Sequence, residues 1–136
     1  MFFDSHCHLD RIDLSDFNQD IDNLIQESLV QGVNEMVCIG VTLETFEEMY
    51  QKLTHRSEIH LTVGVHPDYE MVTEPTVKEL VKLSKRDKIV AIGETGLDYV
   101  HTDGPEWQRD RFRIHIDAAI ESNKPLVVHT RNAKQD

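Results

Sequence analysis

The sequence predicts a parallel α/β fold, namely the first four β/α units and a fifth strand of a TIM-type (β/α) barrel. Short apolar runs alternate with segments whose apolar residues follow helical spacing, the order expected of β/α units. The runs begin about every 24 to 37 residues, close to the repeat of about 31 residues in a barrel of 250 residues. Polar residues suited to metal binding come directly after several of the runs, at their C-terminal ends.

Five apolar runs are predicted to be strands. Each is short, rich in Val and Ile, and followed by glycine or a polar residue, as is typical of strands buried on both faces of a parallel sheet. The predicted strands are Phe2–Phe3, Met36–Ile39, Leu61–Val65, Ile89–Ile92 and Leu126–Val128.

Four segments between these strands are predicted to be helices because their apolar residues recur every three or four positions. Gly32 supplies a stop for the first helix, Thr42 an N-cap for the second, and Thr76 with Glu79 a capping box for the third. The apolar stripes are Phe17, Ile21, Leu24, Ile25 and Leu29; Leu43, Phe46, Met49, Tyr50 and Leu53; Leu80, Val81 and Leu83; and Trp107, Phe112, Ile116, Ala119 and Ile120.

A doubly wound sheet also accommodates five parallel strands, and the length of 136 residues alone favours it. That fold binds phosphate with a glycine-rich turn after its first strand, whereas residues 4–10 of this chain are DSHCHLD. Instead, His6 and His8, His66, Glu94 and His129 follow four different strands. Since the carboxyl ends of barrel strands form one mouth, this distribution favours the barrel and predicts a metal site there.

Composition indicates one ordinary globular domain, with 39% hydrophobic and 29% charged residues. The formal net charge is -11, so the overall field of the protein does not attract nucleic acid. A phosphate-containing substrate would therefore need local cations, such as bound metal ions or arginines.

The cytoplasm is the predicted location. The chain has two cysteines and no disulfide framework, and no signal peptide or membrane-spanning stretch is visible, so no membrane partner is expected.

The His-x-His pair at the first strand is a metal-binding arrangement. Side chains alternate along a strand, so His6 and His8 point to the same side, with Cys7 on the other. Imidazole is a ligand for Zn and other transition ions, while a carboxylate such as that of Glu94 accepts Mg or Mn and can bridge two ions. Two bridged ions suit the in-line displacement of a phosphodiester.

Four blocks of the chain resemble the TatD-type metal-dependent hydrolases in order and spacing. They are DSHCHLD at 4–10, VGVHP at 63–67, AIGETGLDY at 91–99 and PLVVHTR at 125–131. The GETGLDY block is the most specific, whereas the His-x-His block also occurs in other amidohydrolase-like barrels and in polymerase-associated phosphoesterases. The resemblance covers the whole chain.

The resemblance implies a β/α barrel with two divalent metal ions (Mg, Mn or Zn) that cleaves DNA, with 3′ exonuclease activity. Carried over by residue, it assigns His6 and His8 to the first ion and His129 to the second. Glu94 would bridge both ions and is the predicted catalytic residue.

Three further residues are predicted to contact substrate, each with a structural alternative. His66 would be a rim residue or a turn histidine. Arg131 would bind phosphate with its guanidinium fork or be a solvated cation at a helix start. Asp98 would orient a ligand histidine or cap a loop.

The chain departs from the resembled family in length, because members run to about twice as many residues and draw a further histidine and an aspartate from their second half. Residues 1–136 are therefore interpreted as the N-terminal portion of a single barrel, with an incomplete metal site. Because open strand edges are prone to pairing, we expect either self-association through the barrel edges or a fragment of a longer product. A metal-dependent amidohydrolase or phosphoesterase acting on a small substrate, and a non-catalytic partial barrel, remain as alternatives.

Overall fold

A computed structural model describes residues 1–136 and has five parallel strands that alternate with helices. The predicted fold class is confirmed, because the strands form one sheet that curls into half of a TIM-type barrel. The elements are β1 (Phe2–Cys7), a 3-10 turn (Ser15–Phe17), α1 (Ile21–Val30), β2 (Val33–Cys38), α2 (Leu43–Leu53), β3 (Ile59–Val63), α3 (Val77–Ser84), β4 (Ile89–Asp98), α4 (Glu106–Ser122) and β5 (Leu126–Arg131).

Each strand pairs in parallel with its neighbour in sequence, so the sheet order is β1-β2-β3-β4-β5. β1 and β5 are therefore the two unpaired edges. Residues from all four helices join one cluster of 18 buried apolar residues, including Ile25, Phe46, Leu80 and Ala118. The helices thus cover one face of the sheet. None of them combines the length and the apolar character that crossing a bilayer requires.

β4 and β5 extend past the predicted strand ends, to Asp98 and Arg131. Glycine makes this extension possible, because a Cβ atom at Gly96 would lie 2.1 Å from the carbonyl oxygen of His129. Gly96 also has φ of +136°, a conformation that other residues rarely adopt. Glu94 and His129 consequently lie within paired strands rather than in the loops after them.

The helix caps agree with the prediction at two places. The Thr42 hydroxyl accepts a hydrogen bond from the Thr45 amide, and Thr76 and Glu79 form the capping box of α3. The predicted inclusion of Phe17 in the first helix is wrong. Asn18 and Gln19 have φ of 56° and 59°, which separates the Phe17 turn from α1.

The apolar stripe predicted for α4 is only partly right, because Ala119 is buried in the core but its other members are not. Ile120 is 74% exposed, and Phe112 and Ile116 are only half-buried. The residues of α4 that are buried are Gln108, Arg111, His115, Ala118 and Ala119. Three of these five are polar, and they hydrogen-bond to the segments that follow β3 and β4.

Candidate metal centre

Glu94 lies between histidines from both edges of the sheet. Its Oε2 is 3.4 Å from His6 Nε2 on β1, and its Oε1 is 3.3 Å from His129 Nδ1 on β5. The carboxylate is buried, with 5% of the residue exposed. The Glu94 amide donates to the Gly40 carbonyl at 3.0 Å, and this bond holds the backbone of β4 at the centre of the mouth.

Two groups of side chains bring their ligand atoms within 4.8 Å of one another. One group is His6, His8 and Glu94, and the other is His66, Glu94 and His129. Glu94 belongs to both. The four side chains assigned to metal from the sequence therefore lie together, and His66 joins them.

The chemistry of these residues fits a divalent cation. His8 Nδ1 is buried and has no hydrogen-bond partner, although a buried polar atom without a partner is costly. A metal ion bound to this nitrogen would satisfy it. Imidazole nitrogens and a carboxylate together form a donor set that suits Zn and Mn. His6 and His8 face each other edge to face, with ring centroids 5.3 Å apart.

Asp98 orients His129. The His129 Nε2 lies 2.9 Å from Asp98 Oδ2, so an N–H on Nε2 donates to the carboxylate and Nδ1 faces Glu94 with its lone pair. Asp98 also accepts from the Val100 amide at 3.1 Å, which caps the loop after β4. Asp98 therefore makes both contacts considered for it from the sequence, one with His129 and one within the loop.

Arg131 completes this arrangement, with its Nε 3.0 Å from Asp98 Oδ2. Burial raises the pKa of the Asp98 carboxyl, but hydrogen bonds from the Val100 amide, Arg131 and His129 outweigh it and hold that pKa below its usual range. Asp98 is therefore a carboxylate near neutral pH. The Arg131 side chain remains 49% exposed, so its other N–H groups stay accessible.

His66 presents a donor to the centre. Its Nδ1 accepts a hydrogen bond from the Asp68 amide at 3.1 Å, and a backbone amide can only donate. In the neutral ring the proton is consequently on Nε2, which lies 3.2 Å from His129 Nδ1. Burial and the neighbouring His129 lower the pKa of His66, so the neutral ring is favoured. Because the Asp68 amide takes up Nδ1, His66 presents an N–H to the centre rather than a lone pair.

The polar face of α4 holds the loop that carries His66. The buried Arg111 guanidinium donates to the carbonyl oxygens of His66 and Tyr69, at 2.9 and 2.7 Å, and pairs with Glu74. His115 Nε2 accepts from the Val65 amide at 2.9 Å. Burial lowers the pKa of His115 to about 4, so this ring is neutral.

Gln108 links the loop after β3 to the end of β4 by hydrogen bonds. Its side-chain amide donates to the carbonyl oxygens of Pro67 and Asp98, and its oxygen accepts from the Asp98 amide at 3.0 Å. The roles of Gln108, Arg111 and His115 were not predicted from the sequence. Their spacing of three and four residues was a usable signal, but polar residues at helical spacing usually indicate a solvated face.

The remaining histidines and the cysteines lie outside the centre. His101 is exposed, while His55 pairs with Asp22 and His60 with Glu35. Cys7 and Cys38 are free thiols, and burial raises both pKa values to about 12. Neither thiol is a reactive nucleophile near neutral pH.

Comparisons with known proteins show the family of the chain. A family model described as "TatD related DNase" matches residues 3–136. The metal-dependent hydrolase YcfH of Escherichia coli K12, described as uncharacterized, is 36% identical over 137 residues, covering 98% of this chain and 50% of its own length. A protein of Escherichia fergusonii named "3′-5′ ssDNA/RNA exonuclease TatD" is 30% identical over 123 residues, which are 89% of this chain and 47% of its own.

A solved structure shows the same backbone arrangement. The crystal structure of YJJV, a TatD homologue from Escherichia coli K12, superposes with a TM-score of 0.83 at 25% identity. The match covers 96% of this chain and 51% of the crystallised one. The chain thus spans about half the length of the proteins that it matches.

Proposed function

The chain belongs to the TatD-related DNase family, and we propose that it takes part in hydrolysing DNA phosphodiester bonds from the 3′ end. Its relatives in the family are named metal-dependent hydrolases. Residues 1–136 would form the N-terminal portion of a single barrel that carries this activity. The free thiols Cys7 and Cys38 support a cytoplasmic site of action.

The position of Glu94 is the observation that carries the proposal. Its two carboxylate oxygens face histidines from opposite edges of the sheet, at 3.4 and 3.3 Å, as a bridging ligand would. In the proposed centre His6, His8 and Glu94 would hold one divalent ion, and Glu94 with His129 would hold a second. Such ions supply Lewis-acid activation and offset the negative charge of a phosphodiester.

The side chains beside the ligands would handle the substrate. With His129 Nδ1 bound to metal, the N–H on Nε2 of His66 would be released from its hydrogen bond with that nitrogen and could donate to a phosphate oxygen. The accessible N–H groups of Arg131 would be a second donor to the same group. Asp98 would keep His129 in the orientation that metal binding needs, and would hold Arg131 beside it. A hydrogen-bond donor that is already held in position can stabilise the negative charge that develops on the phosphate in the transition state, because the protein does not have to rearrange first.

Digestion of labelled single-stranded DNA tests the proposal. Oligonucleotides labelled at the 5′ end are incubated with the chain and Mg, Mn or Zn, and a ladder that shortens one nucleotide at a time is expected. Glu94→Gln should abolish the ladder, whereas Glu121→Gln, an equal charge change on the exposed face of α4, should leave it unchanged.

Two outcomes would contradict the proposal and favour another function. Hydrolysis of small amide or phosphoester substrates without DNA cleavage would favour a hydrolase of another class on the same scaffold. If the purified chain retains no metal ion and turns over no substrate, a non-catalytic partial barrel is the better description.

A further inference from the structure

A cavity of about 330 Å³ opens beside the candidate metal centre. It lies among the loops that follow β1, β2 and β3, and its lining residues are His8, Arg11, Val41, His66, Asp68 and Tyr69. His8 and His66 also belong to the two ligand groups, so the cavity is continuous with the centre. A larger cavity of about 480 Å³, between Tyr99 and residues 132–136, shares no residue with it.

Arg11 brings a positive charge to this cavity. A turn after β1 places it there, because its amide donates to the His8 carbonyl at 3.0 Å. One guanidinium nitrogen donates to the Tyr69 hydroxyl, and the Nε lies 3.5 Å from Asp10. Since arginine has five N–H groups, at least three remain for a ligand, and the side chain is 37% exposed. The Arg11 guanidinium is therefore an exposed local cation, suited to binding an anion, in a protein of net charge -11.

Tyr69 places an aromatic ring beside Arg11, whose guanidinium carbon lies 5.6 Å from the ring centroid. Its backbone is held on both sides, because its amide donates to the His66 carbonyl at 3.3 Å and its own carbonyl accepts from buried Arg111 at 2.7 Å. The ring is half-buried and meets the His66 ring edge to face, with centroids 6.1 Å apart. The ring is therefore fixed in place before any ligand binds, which reduces the entropy that binding would cost.

We propose that this cavity is a nucleotide subsite, in which Tyr69 contacts an unpaired base and Arg11 binds the phosphate attached to it. The inference rests on the proposed function and adds two residues outside the ligand groups that would hold the substrate. Aromatic rings bind bases of single strands by stacking, with little sequence preference, because every base has a π face. Bases inside a duplex are already stacked, so the subsite selects single strands or frayed ends.

Equilibrium binding of short oligonucleotides tests the subsite without requiring turnover. The probes are fluorescent oligodeoxythymidylate, an abasic strand of the same length and a duplex, each measured by anisotropy in EDTA and again with Ca²⁺. Tyr69→Leu should weaken binding of oligodeoxythymidylate by about 5- to 150-fold and barely affect the abasic strand. Tyr69→Phe keeps the ring and should stay within about twofold of the parent chain.

Arg11 is tested by salt dependence. Arg11→Met should weaken both single strands and reduce the slope of log K against log salt concentration by about 0.7, the value for one phosphate contact on a single strand. Arg113→Met is the matched control, because Arg113 is 60% exposed on α4 and pairs only with Glu106 and Asp110. Circular dichroism and thermal unfolding confirm that each variant is folded.

The outcomes separate this inference from the proposed function. Binding that depends on Tyr69 and Arg11 without any cleavage would support the subsite and contradict the nuclease activity. Cleavage with unchanged affinity in Tyr69→Leu and Arg11→Met would overturn the subsite alone. Equal effects of Arg11→Met and Arg113→Met, or equal binding of duplex and single strand, would also overturn it.

Discussion

His129 donates through Nε2 to Asp98, 2.9 Å away, and this hydrogen bond turns its Nδ1 toward Glu94. Asp98→Asn removes the negative charge that favours this orientation of the ring. Metal affinity should fall by about 10- to 100-fold, as is usual when a partner of a ligand histidine is changed. Calorimetric titration with Mn or Zn measures the effect. Asp103→Asn, on an exposed loop, should leave the affinity unchanged.

His66 should behave as a hydrogen-bond donor rather than a ligand, because the Asp68 amide occupies its Nδ1 and the proton is on Nε2. His66→Ala is therefore expected to keep the metal content of the protein while lowering the rate of DNA cleavage about 100- to 1,000-fold, the usual cost of losing a fixed donor. Elemental analysis gives the metal content. Loss of one ion in this variant would instead make His66 a ligand.

The buried neutral ring of His115 makes stability depend on pH. Its pKa is about 4 in the folded protein and about 6.5 when unfolded, so the unfolded chain binds more protons between these values. Stability from this group is fully present above pH 6.5 and is lost as the pH falls. Between pH 7 and 5 the loss should be about 2 kcal/mol.

Urea unfolding of His115→Gln measures that contribution, because a glutamine oxygen can still accept from the Val65 amide. The variant should lose less stability than the parent chain on going from pH 7 to 5. His101→Gln, in an exposed loop, should retain the full pH dependence. An unchanged pH profile in His115→Gln would show that other groups cause it.

Gly96 should tolerate substitution far less well than Gly32. Both have positive φ, but a Cβ at Gly96 would meet the His129 carbonyl at 2.1 Å, whereas one at Gly32 meets only Phe2 at 3.9 Å. Gly32→Ala should cost about 1 to 2 kcal/mol of unfolding free energy, from backbone strain alone. Gly96→Ala should cost more and also weaken metal binding, because β5 has to move. An equal loss of unfolding free energy in Gly32→Ala and Gly96→Ala would contradict this prediction.

The exposed edges of the sheet should cause the isolated chain to self-associate. Phe3 on β1 is 57% exposed and Val128 on β5 is 47% exposed, beside unpaired backbone groups. Val128→Lys should shift sedimentation velocity toward the monomer, since a charge on an edge strand opposes pairing. Met71→Lys, which is 95% exposed in a loop, serves as the control. A compact monomer of the parent chain would contradict the prediction.

The architecture and the clustering of His6, Glu94 and His129 could be predicted from the sequence for one reason. Apolar runs mark parallel strands, and the carboxyl ends of parallel strands meet at one edge. The strand ends were less predictable, because Gly93 and Gly96 interrupt the apolar run of β4. The pairing with β5 is irregular between Ile92 and Thr95, but it resumes and continues to Asp98. Hydropathy does not report how closely two backbones approach.

The buried face of α4 was not predictable by the same reasoning. Arg111 and His115 are buried because their hydrogen bonds satisfy backbone groups of the loop after β3, and these partners are about 45 to 50 residues away in sequence. The proton position on His66 depends instead on a local hydrogen bond from the Asp68 amide, two residues away, which apolar periodicity does not report.

The order of strands in the sheet has a consequence for biosynthesis. Because every strand pairs only with its neighbours in sequence, each new strand can join the sheet at one edge as it leaves the ribosome, without breaking an existing ladder. This order would let His6 and Glu94 reach their final register before His129 is added. The outer edge of β5 offers the same unpaired backbone to any strand that follows.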